Sequence, residues 1–277
     1  MSALSELPWS GMIGLLLVVL WLVLATFGPM AAPYHPGAFV GPDVFMPFSR
    51  QFPLGTDYLG RDVLSRLLFG ARYTVWLALT AALIASFAGN ALALTAAVSP
   101  RWLDELMSRF MDALISIPST IFALVMVAAF DSSLSMLLTI AAVTYIPGAY
   151  RIARSLAVNL NQMEYVEVAR ARGERRFYIA CVEIFPNMLH PMLADFGLRF
   201  VFIVLLLSGL SFLGLGIQPP AADLGSLVRE NLSGLGDGAL AVFAPAFAIA
   251  TLTIGVNLLI DSLPGSQERG RSGGGDA

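Results

Sequence analysis

Residues 74–98 read TVWLALTAALIASFAGNALALTAAV, a run without one Asp, Glu, Lys, Arg or His. As a helix at ~1.5 Å per residue it is about 37 Å long, against a bilayer hydrocarbon core of ~30 Å. A helix that is apolar all round has no polar face to turn to water. In lipid every backbone N–H and C=O must be paired internally, which a helix achieves within one segment. The stretch therefore points to an all-α integral membrane protein.

Working outward, further runs meet the same length test of about 20 mostly apolar residues. They are Gly11–Phe27, Ile115–Phe130, Leu134–Arg151, Phe196–Gly216 and Leu240–Leu263. Six spans are expected. The third begins on an amphipathic lead-in, Asp104–Asp112, and carries Pro118; it reads as one kinked helix, since membrane helices tolerate proline when neighbours satisfy the freed carbonyl. Before the second span, Val63, Leu64, Leu67 and Leu68 alternate with Arg61, Ser65, Arg66 and Arg72 at helical spacing, which predicts an amphipathic helix over 62–72 lying at the membrane interface. The domain reading is an N-terminal helix, outer loop and interfacial helix (1–73), a membrane domain (74–263) with a loop at 155–187, and a polar, Gly-rich tail (264–277) of disordered composition.

Composition agrees. The chain is 57% hydrophobic and 13% charged, where soluble domains carry about 25% charged residues, and its mean hydropathy is +0.76. Lysine is absent, so all 16 basic residues are arginine. Their distribution sets orientation: Arg101, Arg109, Arg151, Arg154, Arg170, Arg172, Arg175, Arg176, Arg269 and Arg271 gather on one side. On the other side the 218–239 loop holds only Arg229, while the Ala31–Tyr73 segment, with Arg50, Arg61, Arg66 and Arg72, is the exception. Both termini are expected in the cytoplasm, with the first helix retained as an anchor. One cysteine, Cys181, and two histidines, His35 and His190, supply no plausible metal cage.

The segment Asn161–Asn187 carries the functional signal. Asn161 suits an N-cap, Glu164 the positive end of a helix dipole, and Arg170 and Arg172 the other end. Gly173 suits the left-handed residue that stops a helix. A helix of about 11 residues, ~16 Å long, is expected, with Val168 and Ala171 as a shallow apolar contact. A solvated surface helix would satisfy the same rules.

The run Glu164-Tyr165-Val166-Glu167-Val168-Ala169-Arg170-Ala171-Arg172-Gly173, followed ten residues later by Ile184-Phe185-Pro186-Asn187, resembles the "EAA" loop of binding-protein-dependent ABC importer permeases. Gly55-Thr56-Asp57-Tyr58-Leu59-Gly60-Arg61-Asp62-Val63-Leu64-Ser65-Arg66, Leu210–Gly216 and Pro219-Pro220 resemble the dipeptide, oligopeptide and nickel branch, as does Asp112 followed by Ile117-Pro118. The resemblance implies a type I importer transmembrane domain in the bacterial inner membrane, multi-pass, whose loop helix docks on a cytoplasmic ATPase. On that basis Glu164, Tyr165, Glu167, Ala169 and Gly173 are expected to form the ATPase-coupling element. Gly55, Asp57, Gly60, Arg61, Asp62, Gly214 and Gly216 are expected as structural motif residues. The implied partners are a second homologous permease, two ABC ATPase subunits, an extracytoplasmic substrate-binding protein and membrane lipid, with no nucleic acid. The chain itself would hold no cofactor, ATP being bound by the ATPases.

Departures from the pattern are Val168 and Phe185 in the loop, Leu224-Gly225-Ser226 after the prolines, and Phe243–Ala246 before the last span. An ion-paired turn is the simpler reading of Asp57, Arg61 and Asp62, and close helix packing that of Gly214 and Gly216. Asp195 and Arg199, four apart, are placed to pair. No GxxxxGK[ST] run is present, so ATP hydrolysis is not expected of this chain. The two histidines lie at opposite membrane edges, away from any mid-membrane serine, which argues against an intramembrane hydrolase. Three readings stay open: a permease for short peptides, the same machine carrying a nickel chelate or opine-like ligand, and a membrane protein outside transport.

Overall fold

The computed structural model describes residues 8–262. The tail from Pro264 lies outside the described residues, and so do Arg269 and Arg271. Among the described residues ten helices follow one another: α1 Trp9–Ala31, α2 Val63–Val98, α3 Arg101–Ile115, α4 Ser119–Phe130, α5 Leu134–Leu160, α6 Glu164–Ala171, α7 Arg176–Tyr178, α8 Phe185–Phe212, α9 Leu224–Glu230 and α10 Leu240–Asp261. A π-helical turn, Ile179–Ile184, joins α7 to α8, and a 3-10 turn, Leu232–Leu235, follows α9. Among the described residues, α1, α2, α5, α7–α8 and α10 are each long and apolar enough to cross a membrane, and α3 with α4 makes a sixth, bent pair.

The centre is α2 against α5. Ala78, Ala81, Ala82, Ala85 and Ala93 on α2 are buried, and a Cβ on Gly89 would collide with Ala149. Without a hydrophobic drive between helices in lipid, close approach of small residues is what brings backbones together. α8 and α10 complete the bundle, with α1 outside against α10. There a Cβ on Gly14 would stand 2.5 Å from the Leu259 nitrogen. Two apolar clusters result. The larger joins Trp21, Ala78, Leu137, Val204 and Leu252; the smaller joins Ala93, Tyr150, Val166, Ala169, Ile184 and Met188 at the end that carries α6.

Three sequence expectations change. The amphipathic stretch 62–72 is not a separate interfacial helix: α2 runs unbroken through residue 73 to Val98 for 36 residues. Its polar positions Ser65 and Arg66 are buried beneath the outer loops and so do not face an interface. The third span is two helices bent by 82°, because Pro118 follows Ser116 and Ile117 outside both helices and starts α4 afresh. The fifth span begins near Arg176 rather than at Phe196. Pro186 lacks an N–H, and its ring would strike the Val182 carbonyl in an α-helix. The chain widens there into the π turn, whose Phe185 N–H reaches back to the Ala180 carbonyl, a local register change of the kind that accompanies functional sites.

Candidate functional site

α6 lies at one end of the bundle on a connection that leaves α5 at Asn161. Asn161 is not its N-cap. α5 continues past the apolar run to Leu160, so Asn161 closes α5, where its amide donates to the Ala97 carbonyl at 2.8 Å. The helix starts at Glu164 and has 8 residues, about 12 Å. Its end is the one expected. Gly173 adopts φ +83°, its N–H reaches the Arg170 carbonyl at 2.9 Å, and the Glu174 N–H reaches Ala169 at 3.2 Å. This is a Schellman stop.

Val166 and Ala169 are fully buried, seated in the smaller cluster with Ile179, Ile184 and Met188. Ala169 therefore faces its own chain and offers nothing to a partner; the apolar contact expected of Val168 and Ala171 lies on the other side. Glu164, Tyr165, Glu167, Val168, Ala171 and Arg172 form an exposed face, with Val168 57% accessible. Two weak polar contacts tie this helix to the turn beneath it. Arg172 pairs with Glu183 at 3.4 Å, and the Asn187 amide reaches the Tyr165 hydroxyl at 3.5 Å. An exposed, apolar-centred face on a short helix rigidly bedded on the bundle is suited to transmit force. It carries no constellation for acid–base or nucleophilic chemistry.

At the opposite end the first loop forms a buried ionic knot. Asp57 accepts from the backbone N–H groups of Leu59 and Arg61, both at 2.9 Å. Its second oxygen takes Arg61 Nε and Arg66 Nη1, each at 2.7 Å. Glu230, 169 residues from Arg61, accepts from the same two guanidiniums at 2.9 and 2.8 Å. Burial works against the charge on Arg61, but Asp57 and Glu230 outweigh it and hold the group above its ordinary value. Asp62 caps α2 through the Ser65 N–H and hydroxyl, at 2.8 and 2.6 Å. Gly55 and Gly60 both have positive φ. The ion-paired turn read from Asp57, Arg61 and Asp62 holds for Asp57 and Arg61, while Asp62 acts as the cap of α2 and not as an ion-pair partner. Glu230 was beyond local sequence rules, as was Asn231, which accepts from the Tyr58 N–H at 3.1 Å.

Gly214 and Gly216 turn the chain after α8. Gly214 has φ +87°, and a Cβ on Gly216 would collide with Ser211. The space they leave lets Ser211 bond to Asp223, which also caps α9 through the Ser226 N–H at 2.8 Å. Burial raises the Asp223 carboxyl above its ordinary value against the pull of these hydrogen bonds.

At the mid-length of the bundle Arg199 and Asp195 pair as their spacing predicts, at 2.6 Å. Arg199 also donates from Nη1 to the Tyr145 carbonyl on α5 at 2.8 Å. Among the described residues no group of three or more His, Cys, Asp or Glu is arranged to hold a metal ion.

The family described as "binding-protein-dependent transport system inner membrane component" matches residues 89–270. A permease of Brucella suis biovar 1, provisionally named for peptide transport, is 33% identical over 251 residues, 91% of this chain and 84% of its own. The di/tripeptide transport system permease of Pseudomonas aeruginosa is 31% identical over 256 residues, 90% and 84% of the two chains. The glutathione transport system permease of Pectobacterium atrosepticum is 30% identical over 250 residues, 90% and 83%.

Proposed function

The chain belongs to the family of binding-protein-dependent transport system inner membrane components, and from that premise we propose that it is one permease half of an ATP-driven importer of short peptides. A family member is a multi-pass membrane permease that works with separate ATPase and substrate-binding subunits. The further reading adds a second homologous permease completing the path and two ATPases, one docked on each coupling helix. Both termini and α6 lie in the cytoplasm, and the Asp57–Glu230 knot faces the binding protein. ATP itself is bound by the partners.

The observation that carries the reading is the division of α6. Its inner side, Val166 and Ala169, is sealed into the bundle, while Glu164, Tyr165, Glu167 and Val168 are presented outward. Movement of a docked ATPase would be passed directly to the span beginning at Arg176, and only contacts that differ between two states can drive the change. The peptide cargo rests on the names of several relatives, including the di/tripeptide permease. Those relatives also include a glutathione permease, itself a carrier of a peptide-like molecule.

The test is Val168→Asp in the co-expressed complex. Val168 packs on nothing that the fold needs, so the variant should fold and insert while losing the co-purifying ATPase and the uptake of labelled alanyl-alanine. Full retention of ATPase and uptake would contradict α6 docking. A wild-type complex that takes up no dipeptide would contradict the cargo.

A further inference from the structure

At the end of the bundle opposite α6, a cavity of about 230 Å³ lies between Arg66, Phe69 and Tyr73 of α2, His35 and Pro36 of the first loop, and Ala221 of the loop after α8. At ~30 Å³ per water it has room for about seven. The Arg66 side chain is 2% accessible. Its Nη1 is spent on Asp57 and Glu230, at 2.7 and 2.8 Å. Nε and Nη2, both buried, have no hydrogen-bond partner. Those two nitrogens form one edge of the guanidinium, the fork that takes two oxygens of a carboxylate or phosphate side by side. A buried donor left unpaired carries the cost of its lost hydration, so this edge calls for a ligand that the chain itself does not supply. Tyr73 and His35 add a hydroxyl and an imidazole to the same lining, both able to donate.

The level of the cavity follows from α1. A Cβ on Gly28 would stand 3.0 Å from Leu68, so α1 and α2 meet there. Gly28 lies three residues from the end of α1 at Ala31, about 5 Å. The 23 residues of α1 measure about 35 Å, against a hydrocarbon core of ~30 Å. Leu68 therefore stands within a few ångströms of the edge of the hydrocarbon. Arg66 lies beyond that edge, and its side chain, leaning toward the helix N-terminus as helical side chains do, points further out. Phe69 and Tyr73 lie at the edge and just inside it.

Below the cavity the same face of α2 is bare. Arg66, Phe69 and Tyr73 are followed at intervals of three and four by Trp76, Thr80, Leu83 and Phe87, which places all of them in one stripe of the helix. Trp76, Leu83 and Phe87 are 41%, 53% and 79% accessible, and Thr80 is exposed. Tyr73 and Trp76 stand where the aromatic belt of a membrane protein lies. The stripe thus joins an unsatisfied cation at headgroup level to an uncovered apolar track leading into the membrane. Charge narrows the class of ligand. Two guanidiniums, Arg61 and Arg66, stand among the carboxylates of Asp57 and Glu230, and Asp62, one turn before Arg66, leaves Oδ1 without a partner. A wholly anionic group would add to this excess of acid, whereas a zwitterion brings its own cation.

We propose that this cavity binds the headgroup of a zwitterionic, amine-bearing phospholipid. Its phosphate oxygens would lie on Nε and Nη2 of Arg66, and its acyl chains along Trp76, Leu83 and Phe87. The ammonium group would lie toward the acids of the knot. A lipid held in this way would tie the first loop and the loop after α8 to the start of α2. The site requires a bilayer and not the importer reading, and it is the same for any cargo.

The experiment follows hydrogen exchange by mass spectrometry on the full chain in its co-expressed complex, delipidated in detergent and titrated with dihexanoyl-phosphatidylethanolamine. Exchange over residues 34–38 and 217–222, which border the cavity, should slow at least threefold and saturably. Ala221→Leu fills the cavity from a half-buried wall, outside the Asp57–Glu230 knot, and should abolish the protection. Arg66→Lys keeps the charge, lacks the fork and should abolish it too; should that variant fail to assemble, Ala221→Leu alone decides. No protection in the wild type, or equal protection in Ala221→Leu, would overturn the site. Inorganic phosphate protecting as well as the lipid would show a site for a free anion, and dihexanoyl-phosphatidylglycerol protecting as well would show that charge balance selects nothing. Either result would overturn the assignment.

Discussion

Replacing Arg199 by Met should be among the most damaging single changes in the bundle, and replacing Asp195 along with it should repair most of the damage. Asp195 and Arg199 are 9% and 5% accessible in their side chains. Both carboxylate oxygens lie on Nη2, at 2.8 and 2.6 Å. Arg199→Met strands the carboxylate, and breaking a buried pair on one side costs about 3–5 kcal/mol. It also frees the Tyr145 carbonyl, which Arg199 holds at 2.8 Å. For a chain of this size ~1 kcal/mol corresponds to about 2–4 °C in unfolding midpoint, so the midpoint in mild detergent should drop by roughly 6–20 °C. Asp195→Leu/Arg199→Met removes both charges and keeps the volume. Such replacements are often neutral or stabilising by about 1–4 kcal/mol, so the double variant should return near the wild-type midpoint. ATP hydrolysis by the complex containing it should reach the wild-type rate, whereas transport should stay impaired, because the α5–α8 tie at Tyr145 is still missing. A double variant as unstable as Arg199→Met would refute the reasoning, by showing that the guanidinium is held by packing and not by its charge partner.

Two further outcomes follow from single residues. At Gly173 a Cβ would meet nothing within 4 Å, yet φ is +83°, a region that costs L-residues about 1–2 kcal/mol and that Asn tolerates best. Transport per ATP should therefore fall in the order Gly, Asn, Ala, Val at this position, and equal losses for Asn and Val would show that bulk, not backbone, matters. Asp223 is the pH-sensitive group: burial raises its folded value above the ordinary 3.8, so the folded chain holds a proton that the unfolded chain releases. Stability then declines as pH rises from about 4 through the raised value and stays reduced above it. Asp223→Asn, which still caps α9, should flatten the decline of midpoint as pH rises above about 4; parallel profiles for the two proteins would contradict the assignment.

What the sequence disclosed and what it withheld divide by distance along the chain. Apolar length is a local property, so the long spans were legible, as were the Asp195–Arg199 pair at four residues and the left-handed stop at Gly173. The Asp57–Arg61–Arg66 cluster was half legible: its closing acid, Glu230, comes from a helix 169 residues away. That acid also explains the misreading of 62–72. Arg66 looks like the polar face of an interfacial helix until Glu230 and Asp57 are known to bury it at 2% side-chain accessibility. Asn161 failed for another reason. Its residue type suits an N-cap and the polar close of a preceding helix alike, and only the extra turns of α5 beyond Arg151 decide between them. The outward position of Val168 and Ala171 was legible, but the burial of Ala169 was not, because Val166 and Val168 are chemically alike. Which of them is buried depends on where Ile184 and Met188 arrive after the π turn, a register that no periodicity of α6 itself encodes.

That π turn gives the proposed lever its stiffness and its limit. α6 sits in the smaller cluster, which ends on α8 at Met192; the larger cluster takes over at Phe200. Between them on α8 stand Asp195 and Arg199, and Arg199 is tied to α5 at the Tyr145 carbonyl. A displacement of α6 would therefore press on Ile184 and Met188 and travel up α8. It would be handed to α5 at Tyr145. The apolar packing on either side is non-directional and would let the helices slide. The charge-assisted bond from Arg199 to a backbone carbonyl is directional and fixes the register of α8 on α5. On the proposed reading this bond, rather than α6 docking alone, links movement at the ATPase end to movement of α5. It is also why the double variant should regain stability and hydrolysis without regaining transport.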